Sequence, residues 1–244
     1  MRAAVVGADA ADALAVGGLQ PFTTIDYPGA LAAVVFVQGC AWRCPYCHNP
    51  HLQAAAGDGV DAPMPWAALR PWLERRARVL DALVFSGGEP TLDPALPAAM
   101  REARALGYRI GLHTAGMSPR RLQAVLPLVD WVGLDVKAPL DDAALHDRLS
   151  GVRGAAAAVS ASLDALLACG VDHECRTTVH ASLLSDAALE RTVALLASRG
   201  VARHALQACR ASGDDRRPSV TWPDAARLAV LTARHPALVL RSAA

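Results

Sequence analysis

Residues 31–47 read LAAVVFVQGCAWRCPYC, a Val-rich apolar run that breaks at Gly39 into three closely spaced cysteines. The run at 30–37 is the longest apolar stretch in the chain and has the length of a strand, far short of the roughly 18 to 20 residues needed to span a bilayer. Directly after it, Cys40, Cys44 and Cys47 stand in a C-x3-C-x2-C spacing. Three thiols on one short loop converge on a metal centre, and thiolate softness selects zinc, copper(I) or an iron-sulfur cluster. A zinc completed by His48 makes the site a binding module. A four-iron cluster, whose usual complement is four cysteines, is left with one iron open to a ligand from solution.

Outward from this strand the same alternation repeats. Short Val/Ile/Leu-rich runs at 31–37, 82–86, 108–113, 131–136, 173–179 and 203–209, with a weaker one at 237–241, read as strands. Alanine-rich segments of helical period separate them at 65–78, 94–106, 118–126, 156–169, 186–199 and 223–234. Ser118-Pro119 and Trp222-Pro223 open helices, and Gly107, Gly170 and Gly200 close them. Six successive βα units with no linker predict an α/β fold, a partial (β/α)6 TIM-like barrel. Residues 48–63 and 211–219 mix Gly, Pro and Asp without period and read as loops. Residues 1–30 form an N-terminal extension with a short hairpin or lid at 14–29, and residues 31–244 form one core domain.

Barrel enzymes gather their chemistry at the C-terminal ends of the strands. Here those ends carry the cysteine loop, Ser86-Gly87-Gly88-Glu89-Pro90, His113-Thr114, Asp135-Val136-Lys137, Arg176 to His180, and Gln207 with Arg210. Gly87 and Gly88 form either a tight turn or a place where backbone carbonyls approach a ligand, with Glu89 or those carbonyls accepting from an ammonium group. Asp135 and Lys137 lie two apart on a strand and so share a face. They are either a structural ion pair or a pair in which Lys137 binds a carboxylate and Asp135 accepts from a hydroxyl or amine. Cys169, Cys175 and Cys209 are scattered and read as core residues.

Composition narrows the function class. The 244 residues are 53% hydrophobic and 19% charged with a net charge of +1, which rules out disorder and gives no basic signal for nucleic acid or a membrane surface. The N-terminal apolar stretch is interrupted by Asp9 and Asp12 before a signal sequence can form, so a cytoplasmic protein with reduced thiols is expected. Lys137 is the single lysine in a chain with 24 Lys plus Arg residues. A compact ammonium reaches a carboxylate in a crowded pocket where a planar guanidinium does not fit.

Taken together, C-x3-C-x2-C with Tyr46 before the last cysteine, followed one strand later by Gly-Gly-Glu-Pro, resembles the radical S-adenosylmethionine superfamily over most of the chain. Residues 22–52, FTTIDYPGALAAVVFVQGCAWRCPYCHNPHL, are similar to the activating enzymes of glycyl radical enzymes. Within these, Asp26-Tyr27-Pro28-Gly29 most resembles the anaerobic ribonucleoside-triphosphate reductase activating proteins. The pyruvate formate-lyase activators typically carry D-G-P-G-x-R there. The segment LDVKAPLDDAALHDRLSGV, 134–152, resembles the same family.

The resemblance implies that Cys40, Cys44 and Cys47 ligate a 4Fe-4S cluster whose fourth iron is chelated by the amino and carboxylate groups of S-adenosylmethionine. It implies Tyr46 and His48 beside the adenine, Gly87, Gly88 and Glu89 at the methionyl ammonium, and Asp135 and Lys137 at the ribose and carboxylate. It also implies reductive cleavage of the cofactor and hydrogen abstraction from a glycine of a partner enzyme, with flavodoxin or ferredoxin as low-potential electron donor. The chain departs from the pyruvate formate-lyase activators at His113-Thr114, where those carry an Asp-Thr pair associated with a monovalent cation, and at Arg210, where those place a histidine near the adenine. Pyruvate formate-lyase or another glycyl radical enzyme is the alternative target, and a zinc-stabilised interaction module the non-enzymatic one.

Overall fold

A computed structural model describes residues 8–55, 64–180, 182–209 and 225–241. After a short helix α1 (Ala8–Asp12) come strands β1 (Ala15–Thr23), β2 (Ala32–Val37) and β3 (Met64–Pro65), then helix α2 (Trp66–Arg76). The chain continues as β4 (Ala82–Gly87), α3 (Leu96–Ala105), β5 (Arg109–Thr114), α4 (Pro119–Val125), β6 (Trp131–Asp135), α5 (Ala143–Ser150) and α6 (Ala155–Cys169). It ends with β7 (Asp172–Val179), α7 (Asp186–Ser198), β8 (His204–Ala208), α8 (Ala225–Arg234) and β9 (Leu238–Arg241).

All nine strands form one sheet in the order β3-β1-β2-β4-β5-β6-β7-β8-β9. From β2 to β9 in that order every neighbouring pair is parallel, and apart from β3, which pairs antiparallel with β1, each strand pairs with the next one in sequence. Parallel crossovers are right-handed, so a strand order that never reverses stacks every helix on one face and curls the other inward. That is barrel winding, and among the described residues β3 and β9 each have a single neighbour, so the barrel stays open between them. The expected partial barrel is present, and the weak run at 237–241 is its last parallel strand.

Residues 14–29, expected to form a short hairpin or lid of their own, carry one strand, β1, which pairs antiparallel with β2, the first strand of the core. Pro21 falls inside β1 where the register shifts between Gln20 and Thr23, a place where a missing N–H is tolerated. Gly107, Gly170 and Gly200 close α3, α6 and α7 with positive φ as expected. Trp222-Pro223, the loop at 211–219 and Arg210 lie outside the described residues. Helix α5 did not emerge from the periodicity, although its caps are local: the Asp142 carboxylate accepts from Leu145 N, and Gly151 ends it at φ 77°.

Alternation along the strands divides the interior. Val35, Leu83, Phe85, Leu112 and Leu134 face the helices in the main core. A second cluster joins Val179, Leu189, Leu206 and Leu231 around β7, β8, α7 and α8. The opposite face is the lumen, where Ala32, Val34, Ala82 and Val84 leave room for Tyr27 and Trp131. The turn after β1 thus plugs the lumen floor: Tyr27 packs against Trp131 with ring centres 5.5 Å apart and planes tilted by 37°, and a Cβ at Gly111 would come within 3.1 Å of the Tyr27 ring. Of the cysteines expected in the core, Cys175 and Cys209 are buried. Cys169 is exposed instead, because it is the last residue of α6 and its Sγ turns back to donate to Leu166 O.

Candidate active site

Where β2 ends, Gly39 at φ 98° turns the chain into the cysteine loop. Backbone bonds hold that loop on two sides. Gly39 N and Cys40 N donate to Leu52 O and Gln53 O, the Gln38 amide donates to His51 O and Ala54 O, and Arg43 N donates to Ser150 O at the end of α5. Gly151 completes the second anchor, since a Cβ there would lie 3.1 Å from the Arg43 backbone oxygen.

The Gly-Gly turn docks on the same place. Gly88 N donates to Val37 O and Glu89 N to Gly39 O, each at 2.8 Å. A Cβ on Gly87 would sit 2.5 Å from Val37 N, and one on Gly88 would sit 2.2 Å from Gly39 O. Both contacts are to backbone, which cannot swing away, so the two glycines are required for the end of β4 to close against the cysteine loop.

Cys40, Cys44, Cys47, Tyr46, His48, Gly87, Gly88, Asp135 and Lys137 all line one pocket at the C-terminal ends of the strands. Glu89 is the exception among the residues singled out from the sequence. Its side chain is buried and turned away: Oε1 accepts from Thr91 N, Thr91 Oγ1 and Thr114 Oγ1, and Oε2 from Ala115 N. The carboxylate expected at an ammonium group therefore ties the end of β4 to the end of β5, leaving the backbone of Gly87 and Gly88 on the pocket wall. Burial raises the Glu89 pKa, opposed by these four donors.

Lys137 is 7% exposed, with Nζ 3.1 Å from Asp135 Oδ2 and 5.7 and 5.6 Å from the ring centres of Trp42 and Tyr46. Burial opposes the ammonium, but Tyr46 and Asp135 outweigh it and hold the Lys137 pKa well above the ordinary lysine value. Two aromatic faces and a carboxylate thus hold a charged group at the wall. Tyr46 is itself buried, its hydroxyl without a hydrogen-bond partner among the described residues, while His48 is exposed at the rim. Burial raises the pKa of Cys40 to about 11 and that of Cys44 above its usual value, so metal binding displaces protons from these thiols.

The donor set fits an iron-sulfur cluster: three thiols on one short loop line one pocket, and three thiolates hold three corners of a cubane and leave the fourth iron open toward that pocket.

Trp42, which also lines the pocket, was not singled out from the sequence, although an aromatic between Cys40 and Cys44 was there to be seen. His113, Arg176, Thr178 and Gln207, placed at strand ends without a role, also line the pocket. His180 does not; it is buried and its Nδ1 accepts from Ser182 N.

Residues 34–196 match the model of the radical SAM superfamily. The chain is 33% identical over 129 residues to a Methanocaldococcus jannaschii protein assigned as a glycyl-radical enzyme activating enzyme, covering 52% of this chain and 51% of that one. It is 30% identical over 132 residues to the pyruvate formate-lyase-activating enzyme of Clostridium pasteurianum, covering 52% and 54%. Against the PqqA peptide cyclase of Xanthomonas euvesicatoria it is 39% identical over 119 residues, covering 47% and 30%. The chain spans about half the length of the first two relatives and less of the third. Among solved structures, a radical SAM methyltransferase from Sphaerobacter thermophilus superposes with a TM-score of 0.67 at 18% identity, over 91% of this chain and 68% of that one. With a family model matched over most of the open barrel and the cysteine loop at its mouth, the chain belongs to the radical SAM superfamily.

Proposed function

We propose that this protein is an activating enzyme that generates a glycyl radical on a partner protein, with anaerobic ribonucleoside-triphosphate reductase as the partner that Asp26-Tyr27-Pro28-Gly29 favours. The observation that carries the reading is the convergence of three thiols, the Gly87-Gly88 backbone and the Asp135/Lys137 pair on one pocket. Two of the relatives bear names of this activity.

On this reading, Cys40, Cys44 and Cys47 hold a 4Fe-4S cluster, and Lys137 and Asp135 receive the carboxylate and ribose of S-adenosylmethionine. The carbonyls of Gly87 and Gly88 accept from its ammonium, and Glu89 fixes that backbone from behind. Tyr46 and His48 flank the adenine. When bound, the cluster supplies one electron to the sulfonium, and the carbon-sulfur cleavage that follows yields the hydrogen-abstracting species. Tyr27, Trp131 and Val84 form an apolar plug beneath the pocket. A flavodoxin or ferredoxin supplies the electron, and the open side of the barrel admits a loop of the partner.

Anaerobic reconstitution tests this reading: iron and sulfide in the loaded protein, 5′-deoxyadenosine from the reduced protein, and a glycyl radical resonance on mixing with an anaerobic reductase are expected. Zinc without sulfide sinks it. The similarity to a peptide cyclase favours a second reading, in which the abstracted hydrogen comes from a peptide that is then modified. Deuterium from a labelled glycine of the partner appearing in 5′-deoxyadenosine, with the radical left on that glycine, separates the two.

A further inference from the structure

The deepest charged group in the pocket is one the preceding assignments do not use. Arg176 is 7% exposed and lines the pocket from β7. It is paired in register with Asp135, but its guanidinium bends toward the floor, lying 5.1 Å over the Trp131 ring and against Gly133. Gly133 precedes Asp135 by two positions on β6, so the guanidinium lies about 7 Å deeper than the Asp135 level. There Nε donates to Glu174 Oε1 at 3.0 Å, while Nη2 is buried without a hydrogen-bond partner among the described residues. A buried N–H without an acceptor costs about 1–3 kcal/mol, a cost that persists where a ligand relieves it.

Glu174 is fully buried and is shared by three arginines. Besides Arg176, it accepts from Arg203 Nε at 2.9 Å and from Arg241 Nη1 and Nη2 at 2.7 and 2.8 Å. Arg241 comes from the last strand, so closure of β9 onto β8 pins the carboxylate that pins Arg176. Gly133 makes room for the arrangement: a Cβ there would lie 2.8 Å from Arg176 Cζ.

We propose that Arg176 anchors the substrate at the floor of the pocket, donating through Nη2 to a backbone carbonyl oxygen of the glycine-bearing peptide segment, and that Glu174 is its positioning residue. This rests on the activating-enzyme reading above. A carbonyl fits because Nε is committed to Glu174 and Nη2 is the one buried N–H of the guanidinium left without a partner among the described residues. One acceptor satisfies the free N–H, and peptide carbonyls flank the glycine Cα on both sides. The bond fixes how far the segment descends and thereby which hydrogen faces the cofactor.

The test uses the full chain loaded with cluster and S-adenosylmethionine, and as probe a capped pentapeptide, acetyl-Ala-Ala-Gly-Ala-Ala-amide, with its glycine dideuterated. Peptide affinity is read by titration calorimetry, and deuterium transfer into 5′-deoxyadenosine by mass spectrometry. Arg176→Gln is expected to weaken peptide binding by about tenfold or more. Glu174→Gln should raise the peptide KM while changing kcat less. Gly133→Ala supplies a variant that removes no charged group: its Cβ would meet Arg176 Cζ, Nε and Nη2, the far end of a flexible side chain, and by displacing the guanidinium it should also weaken the peptide. Peptide affinity unchanged in both Arg176→Gln and Gly133→Ala overturns the inference alone. An equal loss of S-adenosylmethionine affinity in Arg176→Gln moves the guanidinium to the cofactor and also overturns it. If the unmodified protein neither binds the peptide nor transfers deuterium from it, the activating-enzyme reading fails and the anchor with it.

Discussion

The rim of the pocket and its floor are built in different ways. At the rim, Cys40, Cys44, Cys47, Gly87, Gly88, Asp135 and Lys137 come from three short contiguous motifs, each at the C-terminal end of a parallel strand. At the floor, Tyr27, His113, Trp131 and Arg176 come from a turn and from three different strands, and meet only because the sheet curls. Trp131 is the hub, 5.5 Å from Tyr27, 5.7 Å from His113 in an edge contact, and 5.1 Å from the Arg176 guanidinium. His113 Nε2 donates to Asp26 O, which ties the turn to β5. On the proposed reading, the rim holds ligands that would be the same in every radical SAM enzyme, whereas the floor meets the molecule that gives up its hydrogen. Motifs can encode the first because the ligand does not change; the second is assembled from single positions.

That contrast is broken or sharpened by four substitutions. The largest effect is expected for Cys44→Ala, which removes one of the three proposed cluster ligands: S-adenosylmethionine cleavage should be abolished and iron and sulfide lost, as read by metal analysis and product chromatography. Retained cleavage would remove the cysteine loop from the chemistry. Gly88→Ala comes next, because its new Cβ meets the Gly39 carbonyl and must push two strand ends apart. We expect destabilisation of roughly 1–3 kcal/mol in a denaturant titration, together with reduced cluster occupancy. An unchanged midpoint would show that the rim backbone is slack.

Lys137→Ala should weaken S-adenosylmethionine by roughly tenfold to a hundredfold, the worth of a hydrogen bond to a charged group, with iron content intact. Equal affinity in the two proteins would assign Lys137 to the Asp135 ion pair alone. The smallest effect belongs to the floor. Tyr27→Leu removes the ring packed on Trp131 and beneath the Arg109 guanidinium, and should cost about 1 kcal/mol of stability while leaving the cluster bound. A loss of iron in this variant would mean that rim and floor are coupled.

Much of the fold is legible because barrel strands buried on both faces need continuous apolar runs, and their helices need period and caps. The six principal strands and their intervening helices fall close to where those patterns put them. Helix α5 was missed although Asp142 and Gly151 signal both its ends, since eight residues give too short a period to stand out. The role of β1 was read only as a hairpin, because nothing local to residues 15–23 says which strand they pair with. Glu89 shows the limit within a motif. Its position after two glycines suggested a ligand contact, but Thr91, Thr114 and Ala115 surround it with donors, two of them distant in the chain.

What the sequence alone determines about this protein is the set of local commitments: a soft-metal loop after the first parallel strand, two glycines where backbone must approach backbone, and a lone lysine beside an aspartate. These are legible because each depends on residues adjacent along the chain. Only the tertiary structure decides that Glu89 faces inward, that Tyr27 fills the barrel floor, and that one buried carboxylate, Glu174, holds arginines from β7, β9 and the start of β8. The physical reason is that burial and partner choice belong to the curled sheet. Strand register and winding bring together side chains from opposite ends of the chain, and no local pattern records which of them will meet.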